Sequence, residues 1–167
     1  IQQARIRKTQ LFYNNRELFL AILVKDIELA IKQSAKKNLI PVFRLNGTSD
    51  LSWEKYQVMR QGRLHRNIFL AFTEVQFYDY TKIIGRKVQD IRNYHLTFSA
   101  ADGNDADTDK AIQQGMNVAA VFLQLPNEYR GRPVINGDET DLRFLDSKQV
   151  IVGLKAKGDR KSTRLNS

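Results

Sequence analysis

Apolar residues in this chain recur at two periods, and the change from one to the other divides it. From Arg16 to Lys37 they fall at Leu20, Leu23, Val24, Ile27, Ala30 and Ile31, with Lys25, Glu28, Lys32 and Lys36 on the other side. Spacings of three and four predict an amphipathic helix. Asn15 is placed to cap its start, and Lys36-Lys37 suits the negative end of its dipole. Residues 1–14 are polar and basic, with apolar points at Ala4, Ile6, Leu11 and Phe12. They read as the end of a preceding helix.

Beyond Asn38 the pattern shortens to strand-like runs, predicted at 40–45, 75–80, 94–99, 118–122 and 150–154. Between these, a helix opens at Ser52-Trp53-Glu54, a helical turn covers 68–72, and 83–92 make a poor helix broken by Gly85. Residues 100–109 read as an acidic loop, whose end starts a helix at Thr108 that Gly115 closes. Asn136-Gly137, between Val134-Ile135 and Leu142-Arg143-Phe144, carries a strong hairpin signal. The unbroken apolar run from Val118 to Phe122 suits a strand covered on both faces. Strands alternating with helical patterns predict βαβ units and a mainly parallel sheet. No glycine-rich phosphate loop follows any strand. Five strands without closure fit part of a (β/α) barrel or an open doubly wound sheet. The missing loop favours the barrel, so the expected fold is α/β: a partial (β/α) barrel with mainly parallel strands and a small hairpin insertion near the C-terminus.

Composition narrows the chemistry. The 167 residues are 42% hydrophobic, which suits one globular domain, expected over 1–158. No apolar run approaches the roughly 20 residues needed to cross a bilayer, and no secretory leader is visible, so a cytoplasmic protein without membrane contact is expected. The absence of cysteine excludes disulfides, a thiolate nucleophile and cysteine metal ligands in this segment. His65 and His95 stand in no metal-ligand spacing, so no metal site is expected. The formal charge of +9 points toward nucleic acid. Part of it lies in 159–167, which read as a translated sequencing adapter rather than native protein. Those residues hold three basic side chains and one acidic, leaving +7 without them. The chain is expected to be a fragment, truncated at one or both ends.

Three predicted strands end in polar residues. The first delivers Asn46-Gly47-Thr48-Ser49-Asp50, the second Asp79 and then Thr81-Lys82, the third Ser99. Parallel strands would bring these ends to one rim, where α/β sheets bind ligands. Asn46, Thr48 and Ser49 supply hydrogen-bonding groups, and Gly47 lets backbone approach a ligand. Asp50 reads as a catalytic base or amine receiver, or as the cap of the helix bearing Trp53. Asp79 and Lys82 are further catalytic candidates, with an ion pair from Asp79 to Lys82 or Arg44 as the alternative. Ser99 is a ligand-binding candidate with no nearby histidine to activate it. His95 reads as a hydrogen-bonded core residue, and Lys155 and Lys157 as solvated charge.

The blocks Phe-Arg-Leu-Asn-Gly-Thr-Ser-Asp, Gln-Phe-Tyr-Asp-Tyr-Thr-Lys, Tyr-His-Leu-Thr-Phe-Ser, Gly-Asp-Glu-Thr-Asp-Leu-Arg-Phe-Leu-Asp and Val-Gly-Leu-Lys-Ala-Lys-Gly resemble a family of uncharacterised phage proteins related to the "gene product 88" type. The resemblance runs from about Ala4 to Gly158 and implies the cytoplasm of an infected host cell. More distantly, strand ends of the form Ser-Asp-Leu and Thr-Lys followed by Arg86 are similar to phage proteins with a radical-SAM-like barrel. That likeness implies an iron–sulfur cluster and S-adenosylmethionine in a full-length protein, with Asn46 to Asp50 at the methionine moiety and Ser99 near the ribose. The missing cluster cysteines depart from it. A paired-histidine site of the rolling-circle replication type is not found either.

Two functions follow as expectations. One is an enzyme-like barrel acting on a nucleotide, nucleic acid or small substrate. The other is a non-catalytic nucleic-acid-binding protein using Arg5, Arg7, Lys8, Arg60, Arg63 and Arg66. Oligomeric state is not legible.

Overall fold

The computed structural model describes residues 2–157; the predicted adapter-derived tail at 159–167 lies outside them. Two helices open the chain, α1 (Gln2–Asn14) and α2 (Arg16–Lys36). Asn15 caps α2 as its position predicts, its side-chain oxygen accepting the Leu18 amide at 3.1 Å. The buried stripe of α2 is Leu20, Val24 and Ile27.

The strands that follow are β1 (Val42–Phe43), β2 (Val58–Arg60), β3 (Arg63–His65), β4 (Gln76–Thr81), β5 (Tyr94–Ser99), β6 (Val118–Phe122), β7 (Glu128–Tyr129), β8 (Arg132–Asn136) and β9 (Ile151–Lys155). Short α3 (Ile68–Ala71) precedes β4, and α4 (Asp105–Gln113) precedes β6. Seven strands form one sheet in the order β1-β4-β5-β6-β9-β8-β7; β2 and β3 pair separately as a hairpin. The β1–β4, β5–β6, β6–β9 and β8–β9 pairs are parallel, and β7–β8 is antiparallel. The fold is α/β with a mostly parallel sheet.

Several boundaries differ from the pattern, each for a local reason. The predicted strand at 40–45 shrinks to Val42–Phe43, because Pro41 has no amide to give and Asn46 turns to other partners. The predicted helix at Ser52 is a single 3-10 turn, Trp53–Lys55, and the Ser52 side chain makes no capping bond. No helix forms over 83–92. The expected acidic loop instead holds the start of α4, where Asp105 and Asp107 occupy the first turn and suit its positive end. Gly115 closes that helix at φ 78°. The hairpin turns at Arg130-Gly131, not Asn136-Gly137. Both turn residues take positive φ, 51° and 74°, as a type I′ turn requires. Asn136 continues β8 along β9, and Leu142–Phe144 is not a strand.

The described residues group into two compact units through which the chain passes repeatedly. Unit 1 holds residues up to Phe43, Ser52–Phe77 and Lys87–Asn93; unit 2 holds Arg44–Leu51, Tyr78–Arg86 and the residues from Tyr94 on. Unit 1 centres on an aromatic cluster in which Phe12 meets Phe19, Trp53 and Tyr56 edge-on, at 5.3 to 6.0 Å between centroids. Asn93 donates to the carbonyls of Phe69, Phe72 and Val75, so one amide organises the approach to β4.

Arg60 is also internal to unit 1. It reaches the Ala71 carbonyl, Glu28 at 3.2 Å and Glu74 at 2.7 Å, and its guanidinium lies 3.8 Å from the Phe72 ring centroid. The bond to Arg60 lowers the Glu74 pKa below the ordinary carboxylate range. Arg60→Ala should therefore cost on the order of 2 kcal/mol in urea denaturation, since hydrogen bonds to charged groups are being removed. An unchanged midpoint would show that these contacts are not formed.

In unit 2, α4 packs Ala111 onto Phe98, Val118, Ala120, Phe122 and Ile151, all buried. Asn117 joins the next segment to this core, its side chain binding the Ser147 carbonyl at 2.8 Å and the Val150 amide at 3.2 Å. These residues hold one face of the sheet. Their alternating neighbours face the other way, and the site lies there.

Candidate functional site

Side chains alternate across a strand, so Ala119 and Val121 of β6 point away from the α4 core, as do Ser99 of β5 and Leu154 of β9. On this face unit 2 has a basin of about 890 Å³. Tyr80, Ser99 and Leu154-Lys155 bring the carboxyl-terminal ends of β4, β5 and β9 to it. Gly137 to Asp141, just after β8, form another wall, and Arg44 with Lys157 completes the charged lining. The Arg44 guanidinium lies 4.7 Å from the Tyr80 ring centroid, a cation–π arrangement that fixes both groups. Asp138 accepts the Lys155 amide at 2.9 Å and pairs with Lys157 at 3.2 Å. These donors hold its carboxyl below its ordinary pKa, that amide foremost.

Beneath the wall sits Arg143, fully buried. Its Nη2 donates to the Thr140 carbonyl, and its Nε stands 3.3 Å from Asp146. Nη1 has no hydrogen-bond partner, and an added Cβ on Gly137 would lie 2.9 Å from it. A cationic donor is thus left unspent directly behind a residue that lines the basin. The same face of β5 carries two more buried atoms without partners, Thr97 Oγ1 and His95 Nε2. Burial, and then the nearby Arg143 charge, push the His95 pKa down and favour neutral imidazole. The expected hydrogen bond of His95 is not made at Nε2.

The predicted residues divide between two places. Asn46, Ser49, Asp50 and Asp79 are gathered into one hydrogen-bonded network, and Ser99 stands in the basin. The Asn46 amide donates to Asp79 Oδ1 at 2.7 Å, and Tyr94 Oη donates to Asp79 Oδ2 at 3.1 Å. Arg86 in turn donates to Tyr94 Oη at 3.1 Å and lies 3.5 Å from Asp50. Asp50 also accepts from Thr81 Oγ1 at 2.8 Å and from the Lys82 amide at 2.6 Å. Asn46 folds the segment back on itself, taking Ser49 Oγ at 2.9 Å and the Leu51 amide at 3.0 Å on its own side-chain oxygen. Gly47, Thr48 and the Lys82 residue itself are exposed. Burial raises the Asp79 carboxyl to about 6, against the Asn46 amide, Tyr94 and the two arginine charges that lower it. Burial likewise raises Tyr94, with the Asp79 charge adding to it. Asp79 is partnered by Tyr94 and Asn46 here, rather than by the Lys82 or Arg44 side chains.

Sequence reasoning passed over Arg143, Tyr94 and Tyr80. Nothing in Asp-Leu-Arg-Phe distinguishes a fully buried arginine from a surface one. Tyr80 did carry a signal, since alternation with Asp79 puts it on the opposite face. Among the described residues no group of three His, Asp or Glu side chains could hold a metal ion. The chain has no cysteine, so its residues do not fit an iron–sulfur cluster.

The basin lies at the carboxyl ends of parallel strands in a mixed α/β fold, flanked by oriented charges. The Gene product 88 family matches residues 1–167, and the chain belongs to that family. No curated protein and no solved structure matches it. No helix among the described residues is long and apolar enough to cross a membrane.

Proposed function

We propose that unit 2 is an enzyme-like domain whose basin takes a small phosphate-bearing molecule of nucleotide size. The observation that carries this is the unpartnered Nη1 of buried Arg143 behind Gly137, with Arg44 and Lys155 on the lining. Asp146 faces the buried Arg143 charge from one side, and an anion seated at Gly137 faces that charge from the basin side across the Gly137 backbone. Ser99 contacts the ligand and Tyr80 stacks beneath Arg44. Asp50 and Asp79 act as positioning residues that hold the 46–51 segment, and Lys82 stands at the edge of that segment. The acidic wall from Asp138 to Asp141 favours a ligand that also carries hydroxyl or amino groups.

We read the architecture as part of a (β/α) barrel, since β1, β4, β5 and β6 are neighbours in chain order and the face opposite α4 is polar. S-adenosylmethionine shares the nucleoside and carries an amino acid in place of phosphates, so it is the comparison ligand.

Calorimetric titration with nucleoside mono- and triphosphates, and separately with S-adenosylmethionine, tests the assignment. A phosphate-bearing nucleotide should bind, and Arg44→Ala or Lys155→Ala should each weaken it about tenfold, the loss of one charge-assisted contact. Binding by none of the nucleotides, or binding untouched by both substitutions, would overturn the reading.

A further inference from the structure

The formal charge of the protein is concentrated in unit 1. Its segments carry 14 lysines and arginines against six acidic residues, a formal excess of eight; unit 2, through residue 157, carries ten against eleven. Four of the 14 lie in or beside α1, namely Arg5, Arg7, Lys8 and Arg16, and α1 itself holds no acidic residue. Arg5, Arg7 and Lys8 are exposed, and so are Arg63 and Arg66 on and just after β3. Arg60, by contrast, is committed to Glu28, Glu74 and Phe72.

From these placements we infer that unit 1 is a nucleic-acid-binding surface, with α1 and the β2–β3 hairpin contacting the phosphate backbone. Helical spacing sets Arg5 and Lys8 in line with Phe12, and the Arg16 guanidinium lies 4.9 Å from that ring centroid and 5.0 Å from that of Tyr56. Arg16 and Tyr56 line a groove of about 690 Å³ together with Lys55, Gln57 and Arg66. Glu17 and Glu54 also line it, so the groove suits bases stacked beside Tyr56 more than phosphate, which falls to the flanking cations. Tyr13, 68% exposed among the basic residues of α1, offers a second stacking face. An anionic lipid surface fits less well. Membrane-surface helices gather apolar residues on one side, whereas α1 is polar around its circumference and buries only Phe12.

The test uses the full chain with a labelled single strand, its duplex, and phosphatidylserine vesicles. The chain should retain an oligonucleotide at about 50 mM salt and lose affinity log-linearly as salt rises, by roughly 0.7 to 0.9 of a decade per decade for each phosphate contact. Preference for the single strand places the bases at Tyr13 and Tyr56; equal or stronger binding of the duplex leaves the backbone contacts and removes the stacking role. The triple variant Arg5→Gln, Arg7→Gln, Lys8→Gln keeps good helix formers and should reduce the slope by about two to three. Arg63→Gln with Arg66→Gln tests the hairpin independently and should reduce it by about one to two. Arg44→Ala in the unit 2 basin should leave the slope unchanged, so failure of the nucleotide site and failure of this surface are read separately. No oligonucleotide retained at about 50 mM salt, retention of vesicles alone, or a slope that neither variant set changes would overturn the inference.

Discussion

Asp79→Asn should remove a loss of stability that the unsubstituted protein shows between about pH 4 and about pH 7. The carboxyl of Asp79 has no exposed surface, and burial raises its pKa from 3.8 to about 6. The folded state therefore holds a proton that the unfolded chain has already released. Stability from this group is complete below the ordinary carboxylate pKa and drains away as pH rises through 6. The rise from 3.8 to about 6 corresponds to about 3 kcal/mol across the window. Urea midpoints measured at intervals of pH should fall for the parent and stay flatter for the asparagine variant. Parallel curves would show that the carboxyl is not the buried acid described. Asp79→Ala acts differently: it removes the carboxylate that accepts from the Asn46 amide and the Tyr94 hydroxyl, and should cost on the order of 3 kcal/mol at every pH.

Gly153→Ala should be about as damaging, by overpacking. Gly153 is a buried residue of β9 with β6 on one side and β8 on the other. A Cβ there would lie 2.7 Å from Leu125 Cδ2, 2.7 Å from Val134 Cγ1 and 3.3 Å from the Ile135 carbonyl. The two side-chain tips can shift but the carbonyl belongs to a neighbouring strand, so a cost of about 1–3 kcal/mol is expected. Gly153→Val, with two further methyl groups at the same place, should cost more. Thermal melts of the two variants give the order; an alanine variant as stable as the parent would mean β8 is free to move outward.

Much of the sheet was legible because its strands obey one rule each. Tyr94–Ser99 and Val118–Phe122 have the predicted bounds, and Asn15 caps α2 where the apolar period begins. The hairpins were misread because their turns disguise the left-handed residue. Arg130 and Gln61 take φ of 51° and 50° ahead of Gly131 and Gly62, whereas the familiar signal is asparagine or aspartate before glycine. The acidic run near Asp105 looked like a solvated loop, although acidic residues also suit a helix start. The site was harder. The Asp79 partners are 33 and 15 positions away, and no local pattern encodes them. Arg143 was invisible for the same reason: its burial depends on Gly137 and Val152, which approach only when β8 and β9 are in place.

The strand order has a consequence for how the chain is made. β9 follows β6 and β8 in the chain, but it lies between them in the sheet, hydrogen-bonded to both. Until Ile151–Lys155 leaves the ribosome, Val118–Phe122 and Arg132–Asn136 each present an unpaired edge. Such edges are templates for pairing with other chains. This part of the sheet thus waits on a segment made after both of its neighbours, and a nascent chain paused before Ile151 is the species in need of a chaperone.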